Sequence, residues 1–192
     1  MKRVSLIISA IILLAACSQN ESPAPSAPSS PPPQAMPSMP PPPQPLSLYI
    51  VPLDPTGFSM EKIQADKKKV EQEPNNVQAL VSLGDANFMI QRFEKSQEYY
   101  ELALKSDPKN LLARLSLSNC LIFMQKPDEA LKQLEMILGT QKDHPEALYN
   151  KGLILLQSKR DNAGAKQTWT QLIGAHPEHR LAQDVKPEME RL

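Results

Sequence analysis

From Val77 onward, apolar residues return at steps of three and four, the spacing of one face of a helix. Leu80, Leu83 and Phe88 mark a first such stretch, and Phe93, Tyr100 and Ala103 mark a second that closes at Asp107 and Pro108. The pair of stretches then recurs. Gly84, Ser118 and Gly152 are separated by 34 residues and again by 34. They sit in ALVSLGDANF, ARLSLSNCLI and ALYNKGLILL, and a second apolar segment follows each: RFEKSQEYYELALKSDP, KPDEALKQLEMIL and DNAGAKQTWTQLIGAHP. Self-similarity at this period predicts an all-α solenoid in which helix–turn–helix units stack in series. One such unit cannot bury enough surface to fold alone, so three units need covers at both ends.

The covers are legible on either side. Ser59 is placed to cap a helix whose Met60, Ile63, Lys67 and Val70 share one face up to Pro74. A last helix is expected from about residue 178 to 192, with Leu181, Val185 and Met189 inward and Pro187 kinking or splitting it. Within the repeats, Gly84, Ser118 and Gly152 lack bulk where paired helices cross. Gly139 and Gly174 are expected to stop their helices with left-handed caps, and Pro127 suits a first helical position. His144 and His176 each precede a proline at the expected end of a second helix, where partial positive charge suits the dipole.

These positions resemble the tetratricopeptide repeat. That family favours a large apolar residue at position four, small residues at eight, twenty and twenty-seven, an aromatic at twenty-four and proline at thirty-two. Leu80, Gly84, Ser96, Ala103, Tyr100 and Pro108 match it in the first repeat, and Asn87 departs at position eleven. Ser118, Ala130, Leu134 and Ile137 follow the pattern in the second, where Arg114 replaces the large apolar residue. Leu148, Gly152, Ala165, Trp169, Leu172 and Pro177 follow it in the third, after one inserted residue near Asn162. The resemblance implies repeats over about 77–110, 111–144 and 145–177, a capping helix over 56–76 and another over 178–192.

The N-terminal third has a different character. Lys2 and Arg3 precede a 13-residue apolar stretch, too short to span a bilayer, which needs ~20 residues of helix. It ends in Leu14-Ala15-Ala16-Cys17, which resembles the lipobox of bacterial lipoproteins. The resemblance implies a signal peptide over 1–16, cleavage before Cys17 and acylation of that residue, which would anchor the chain in a membrane. Ser18 follows instead of aspartate, which resembles export to the periplasmic face of the outer membrane. Residues 17–55 read as a disordered tether, since 12 of the chain's 20 prolines lie between Pro23 and Pro45 and favour polyproline II.

Charge narrows the function. Without Lys2 and Arg3, 19 basic residues face 21 acidic ones, so nucleic acid is not an expected partner. Lys67-Lys68-Lys69 lies among Asp66, Glu71 and Glu73 and reads as a solvated face. No phosphate loop, HExxH, GxSxG or CxxC occurs, so neither an enzyme nor a cofactor is expected. His176, Glu178 and His179 form the one candidate metal cluster, and their proline-interrupted spacing offers no rigid scaffold. Cys120 falls on a packed side, as a small buried hydrophobe.

In the resembling family the first helices line a concave face with their second, fifth, ninth and twelfth positions. Here these are Gln78, Val81, Asp85 and Phe88, then Leu112, Leu115, Asn119 and Ile122, then Glu146, Tyr149, Leu153 and Leu156. Eight of the twelve are apolar, which suits an amphipathic helix or hydrophobic strip of a partner. Chaperone-binding relatives clamp a terminal carboxylate with basic residues and asparagines; here Val81, Asp85, Ser116, Glu146 and Asn150 occupy those places. The expectation is a membrane-anchored scaffold or adaptor of the cell envelope that binds another protein in assembly or biogenesis of a complex. The alternative is a structural or self-associating module whose groove is filled in cis or by a dimer mate, with a ligand or metal role third.

Overall fold

The computed structural model describes Ser47 and residues 59–192. The expectations for the signal segment, Cys17 and nearly all of the tether lie outside the described residues. Eight helices and no strand occur among the described residues. They are α1 (Met60–Gln72), α2 (Val77–Met89), α3 (Phe93–Ser106), α4 (Leu111–Phe123), α5 (Pro127–Thr140), α6 (Pro145–Gln157), α7 (Asn162–Ala175) and α8 (Arg180–Met189). None of the described helices is long and apolar enough to cross a membrane.

Capping chemistry repeats with the period. Asn76, Asn110 and His144 precede α2, α4 and α6, and each side chain accepts a hydrogen bond from the backbone N–H three residues on. A side-chain acceptor there satisfies one of the orphan donors of a first turn. His144 therefore caps the start of a first helix through Nδ1. The expected dipole contact at the end of a second helix is not made, because α5 already stops at Thr140. His176 does end a helix, as the C-cap of α7.

The turns between paired helices carry the left-handed residues. Gln91, Gln125 and Arg160 have φ of 59°, 59° and 54°, and no glycine among the described residues has positive φ. Gly139 and Gly174 lie inside α5 and α7 and stop neither helix, contrary to expectation. The tight reversal lies between the first and second helix of each pair, so the conformational demand falls there.

The glycines that matter are at the crossings. A Cβ on Gly84 would lie 2.5 Å from Tyr100 Cε1, and one on Gly152 would lie 2.2 Å from Trp169 Nε1. In the middle pair, Leu134 holds the place that Tyr100 holds 34 residues earlier, and the Ser118 hydroxyl donates to the Leu115 carbonyl. Ser96 ties the first crossing by donating to the Gly84 carbonyl at 2.8 Å.

Both departures from the repeat pattern have local explanations. Asn87 donates from Nδ2 to the Leu83 carbonyl at 2.7 Å. Arg114 buries its stem and sends its guanidinium to the Pro108 carbonyl at 2.6 Å and to Gln133 at 2.9 Å. At the front end α1 packs on α2 through Ile63, Asp66 and Val70, while Met60 and Lys67 stay exposed. The expected face is thus rotated, because the Asp66 carboxylate accepts from Ser82 Oγ at 2.6 Å and pairs with Lys62. At the other end α8 runs unsplit through Pro187 and buries Leu181, Ala182 and Val185.

The core falls into two apolar clusters, one over α2–α5 that also takes in Ala147 and Ile154 of α6, and one over α6–α8, and Leu138 packs against both. Trp169 centres the second cluster, with its indole N–H donating to the Tyr149 carbonyl at 3.2 Å.

Candidate protein-binding face

Exact 34-residue spacing puts the twelve candidate residues into four rows across α2, α4 and α6. The row Gln78, Leu112 and Glu146 is the most open, and Leu112 is 46% exposed. The row Val81, Leu115 and Tyr149 is buried at 6%, 4% and 4% exposure. In the row Asp85, Asn119 and Leu153, only Asp85 retains some access to solvent. The row Phe88, Ile122 and Leu156 is largely covered, Phe88 most of all. Leu115 belongs to the first core cluster and Tyr149 to the second.

Polar groups on this face are held in place. Tyr100 reaches across from α3 and donates its hydroxyl to Asp85 at 2.7 Å. Burial pushes the Asp85 carboxyl up to about 6, against the opposing effects of that hydrogen bond and of Lys62. The Tyr100 hydroxyl is pushed well above the ordinary phenol range, mainly by burial and then by the neighbouring carboxylate. Asn150 donates to Asn119 at 2.9 Å, linking α6 to α4 through two buried amides. The Glu146 carboxyl is held below its usual range, first by its contact with His144 at 3.1 Å.

Sequence reading missed one contact of this face. The Tyr149 hydroxyl donates to the Ser47 carbonyl at 2.9 Å, across 102 residues of chain. Burial raises the Tyr149 hydroxyl, and Asp184 of α8 adds to that rise. No local signal marks Ser47, because a backbone carbonyl carries no sequence signature.

One end of the face continues into exposed apolar surface. Phe88, Phe93 and Phe123 form a ring cluster with centroids 5.2–5.5 Å apart, and Met89, Ile90 and Phe123 are open to solvent. The clamp places hold Val81, Asp85, Ser116, Glu146 and Asn150, with no basic side chain among them. His179 caps α8 by accepting from Leu181 N–H, and the His176 ring lies against the Asp143 carbonyl. No group of three His, Cys, Asp or Glu side chains converges among the described residues.

Comparisons with known proteins agree on the architecture. Family models described as tetratricopeptide repeat match residues 91–154 and 146–179. Anaphase-promoting complex subunit 3 of Schizosaccharomyces pombe is 28% identical over 106 residues, covering 54% of this chain. The match spans only 16% of that protein's length. Among solved structures, a tetratricopeptide repeat protein from Parabacteroides merdae superposes with a TM-score of 0.59 at 21% identity, over 68% of this chain and 56% of that one. A crystal structure of MamA gives 0.55 at 19% identity, over 68% and 84%. The first repeat domain of Spaghetti (RPAP3), bound to the HSP90 peptide SRMEEVD, gives 0.54 at 13% identity, over 60% and 90%. Periodicity, crossings, caps and these likenesses agree: the described helical region is a tetratricopeptide-repeat solenoid of three helix pairs between two capping helices.

Proposed function

We propose that this chain is a lipid-anchored adaptor of the bacterial envelope, whose first-helix face receives a hydrophobic segment of another protein during assembly of a complex. Tetratricopeptide repeats are protein-interaction modules, and one relative of this fold holds a peptide. That peptide is acidic, whereas this face offers Asp85 and Glu146 and no lysine or arginine at the clamp places. The observation that carries the reading is the row of exposed apolar side chains along the first helices, Met89, Leu112 and Phe123. Such a row favours apolar side chains presented at helical or extended spacing. The tether and Cys17 would hold the module away from the lipid surface.

Two substitutions test the two halves. Cys17→Ser is expected to abolish palmitate labelling and release the chain from sedimented membranes; labelling that persists refutes the anchor. Leu112→Asp changes an exposed side chain, so its thermal midpoint should match the parent's. Recovery of a crosslinked partner should drop at least tenfold, and equal recovery from both proteins counts against this face.

A further inference from the structure

The two kinds of turn in the stack have opposite chemistry. Residues 89–92, 123–126 and 157–160 each comprise the last residue of a first helix and the three that follow, at an interval of 34. They read MIQR, FMQK and QSKR. They hold Arg92, Lys126, Lys159 and Arg160 and no acidic residue, and ten of the twelve positions are exposed. The turns between successive pairs, 73–76, 107–110 and 141–144, read EPNN, DPKN and QKDH. There Glu73, Asp107 and Asp143 outnumber Lys109 and Lys142, and proline is the only apolar residue. The helices of each pair run antiparallel and the pairs stack in series, so the first set of turns lines one edge of the solenoid and the second set the opposite edge.

The first edge is apolar as well as basic. Met89, Ile90 and Phe123 are 54%, 60% and 47% exposed, backed by the rings of Phe88 and Phe93. The nearest carboxylates stand back from the tips. Glu94, Asp128 and Glu129 lie in the first turns of α3 and α5, and Asp128 pairs with Lys159 at 2.7 Å. Asp161 accepts from the Gly164 N–H as the cap of α7. Arg92, Lys126 and Arg160 enter no ion pair among the described residues. A second copy meeting this edge with its own would set like charges together. An acidic peptide, or the acidic edge of a second copy, would leave the apolar tips in water. An anionic bilayer satisfies both halves, because its phosphates meet the cationic heads while the apolar tips enter the acyl boundary.

We propose that this edge docks the folded repeats on an anionic lipid bilayer. Met89, Ile90 and Phe123 enter the interface, and Arg92, Lys126 and Arg160 meet lipid phosphates. The docking does not require lipid on Cys17; such an anchor would only limit how far the repeats stray. Met89 and Phe123 belong both to this edge and to the protein-binding face, so bilayer and partner compete for them. Leu112 lies at the other end of α4 and belongs to the face alone, so the Leu112→Asp test and the one below fail separately.

A photo-crosslinking residue placed at Ile90 in the full-length chain reads the contact in vesicles of phosphatidylglycerol and phosphatidylcholine. Irradiation should give a product heavier by one lipid. Its yield should be about fivefold or more above that in phosphatidylcholine alone. It should exceed by the same factor the yield from a crosslinker at exposed Lys109, on the opposite edge. Equal yields at the two positions or in the two vesicle types, no lipid adduct, or a product of doubled mass overturn the proposal. The R92Q/K126Q/R160N chain should lose about fivefold or more of the adduct at position 90 with its helical circular dichroism unchanged. An undiminished yield also overturns it. If that variant loses its helical signal, the two positions in the parent chain decide.

Discussion

The first and third helix pairs solve the crossing problem one way, and the middle pair solves it another. Gly84 and Gly152 give up a side chain so that the rings of Tyr100 and Trp169 can fill the space a Cβ would need. Ser118 keeps a hydroxymethyl group, and Leu134 takes the place of the aromatic ring 34 residues after Tyr100. The same 34-residue frame thus tolerates either large-on-nothing or medium-on-small, provided the summed volume is conserved. A similar exchange occurs one residue further on, where Asp85 of the first pair matches Asn119 of the second. The charged version receives the Tyr100 hydroxyl, and the neutral version receives the Asn150 amide.

Converting one solution into the other tests the comparison. The largest effect is expected from Gly152→Ala. The buried indole is pinned by its bond to the Tyr149 carbonyl, so the new methyl cannot be accommodated by a swing of the ring. A loss of about 3 kcal/mol in urea unfolding is expected, and a loss below about 1 kcal/mol would show that the ring does move.

Next comes Asp85→Asn, which gives the first pair the chemistry of the second. Because the folded carboxyl is raised to about 6, the native state holds its proton more tightly than the unfolded chain does. The Asp85 contribution to stability is therefore highest at low pH and falls as pH rises from about 4 through 6. At pH 7 the ionised group costs on the order of 2–3 kcal/mol, and the asparagine variant should recover much of it and flatten that slope. Thermal midpoints measured across this range decide the matter, and an unchanged slope refutes it.

Smaller effects follow. Gly139→Ala places a methyl with nothing within 4 Å, inside a helix, and should stabilise by about 0.5–1 kcal/mol. Ser118→Ala removes one hydroxyl bond at the permissive crossing and should change stability by less than about 1 kcal/mol. If Ser118→Ala matched Gly152→Ala in cost, the two crossings would not differ as described.

The sequence made the stack legible because small and large residues must meet at each crossing, and that pairing leaves a fixed interval. It was less informative where the outcome depended on how far a helix runs. Gly139 and Gly174 looked like terminators, but α5 and α7 continue past both, and the strained turns fell on Gln91, Gln125 and Arg160. Arg114 looked like a defect in the pattern until its carbonyl and amide partners were located. The candidate face was legible as a set of rows. Its depth of burial was not, since exposure depends on what else lies over Leu115 and Tyr149. The contact to Ser47 lies 102 residues away, beyond any periodic signal.

Cys120 is the one cysteine among the described residues, fully enclosed between α4 and α3, with its thiol raised by burial and directed at the Phe93 carbonyl. A thiol-capturing reagent can reach it only when those two helices part. The labelling rate of the native protein is then a stopwatch for breathing of the middle repeat, read without adding any probe.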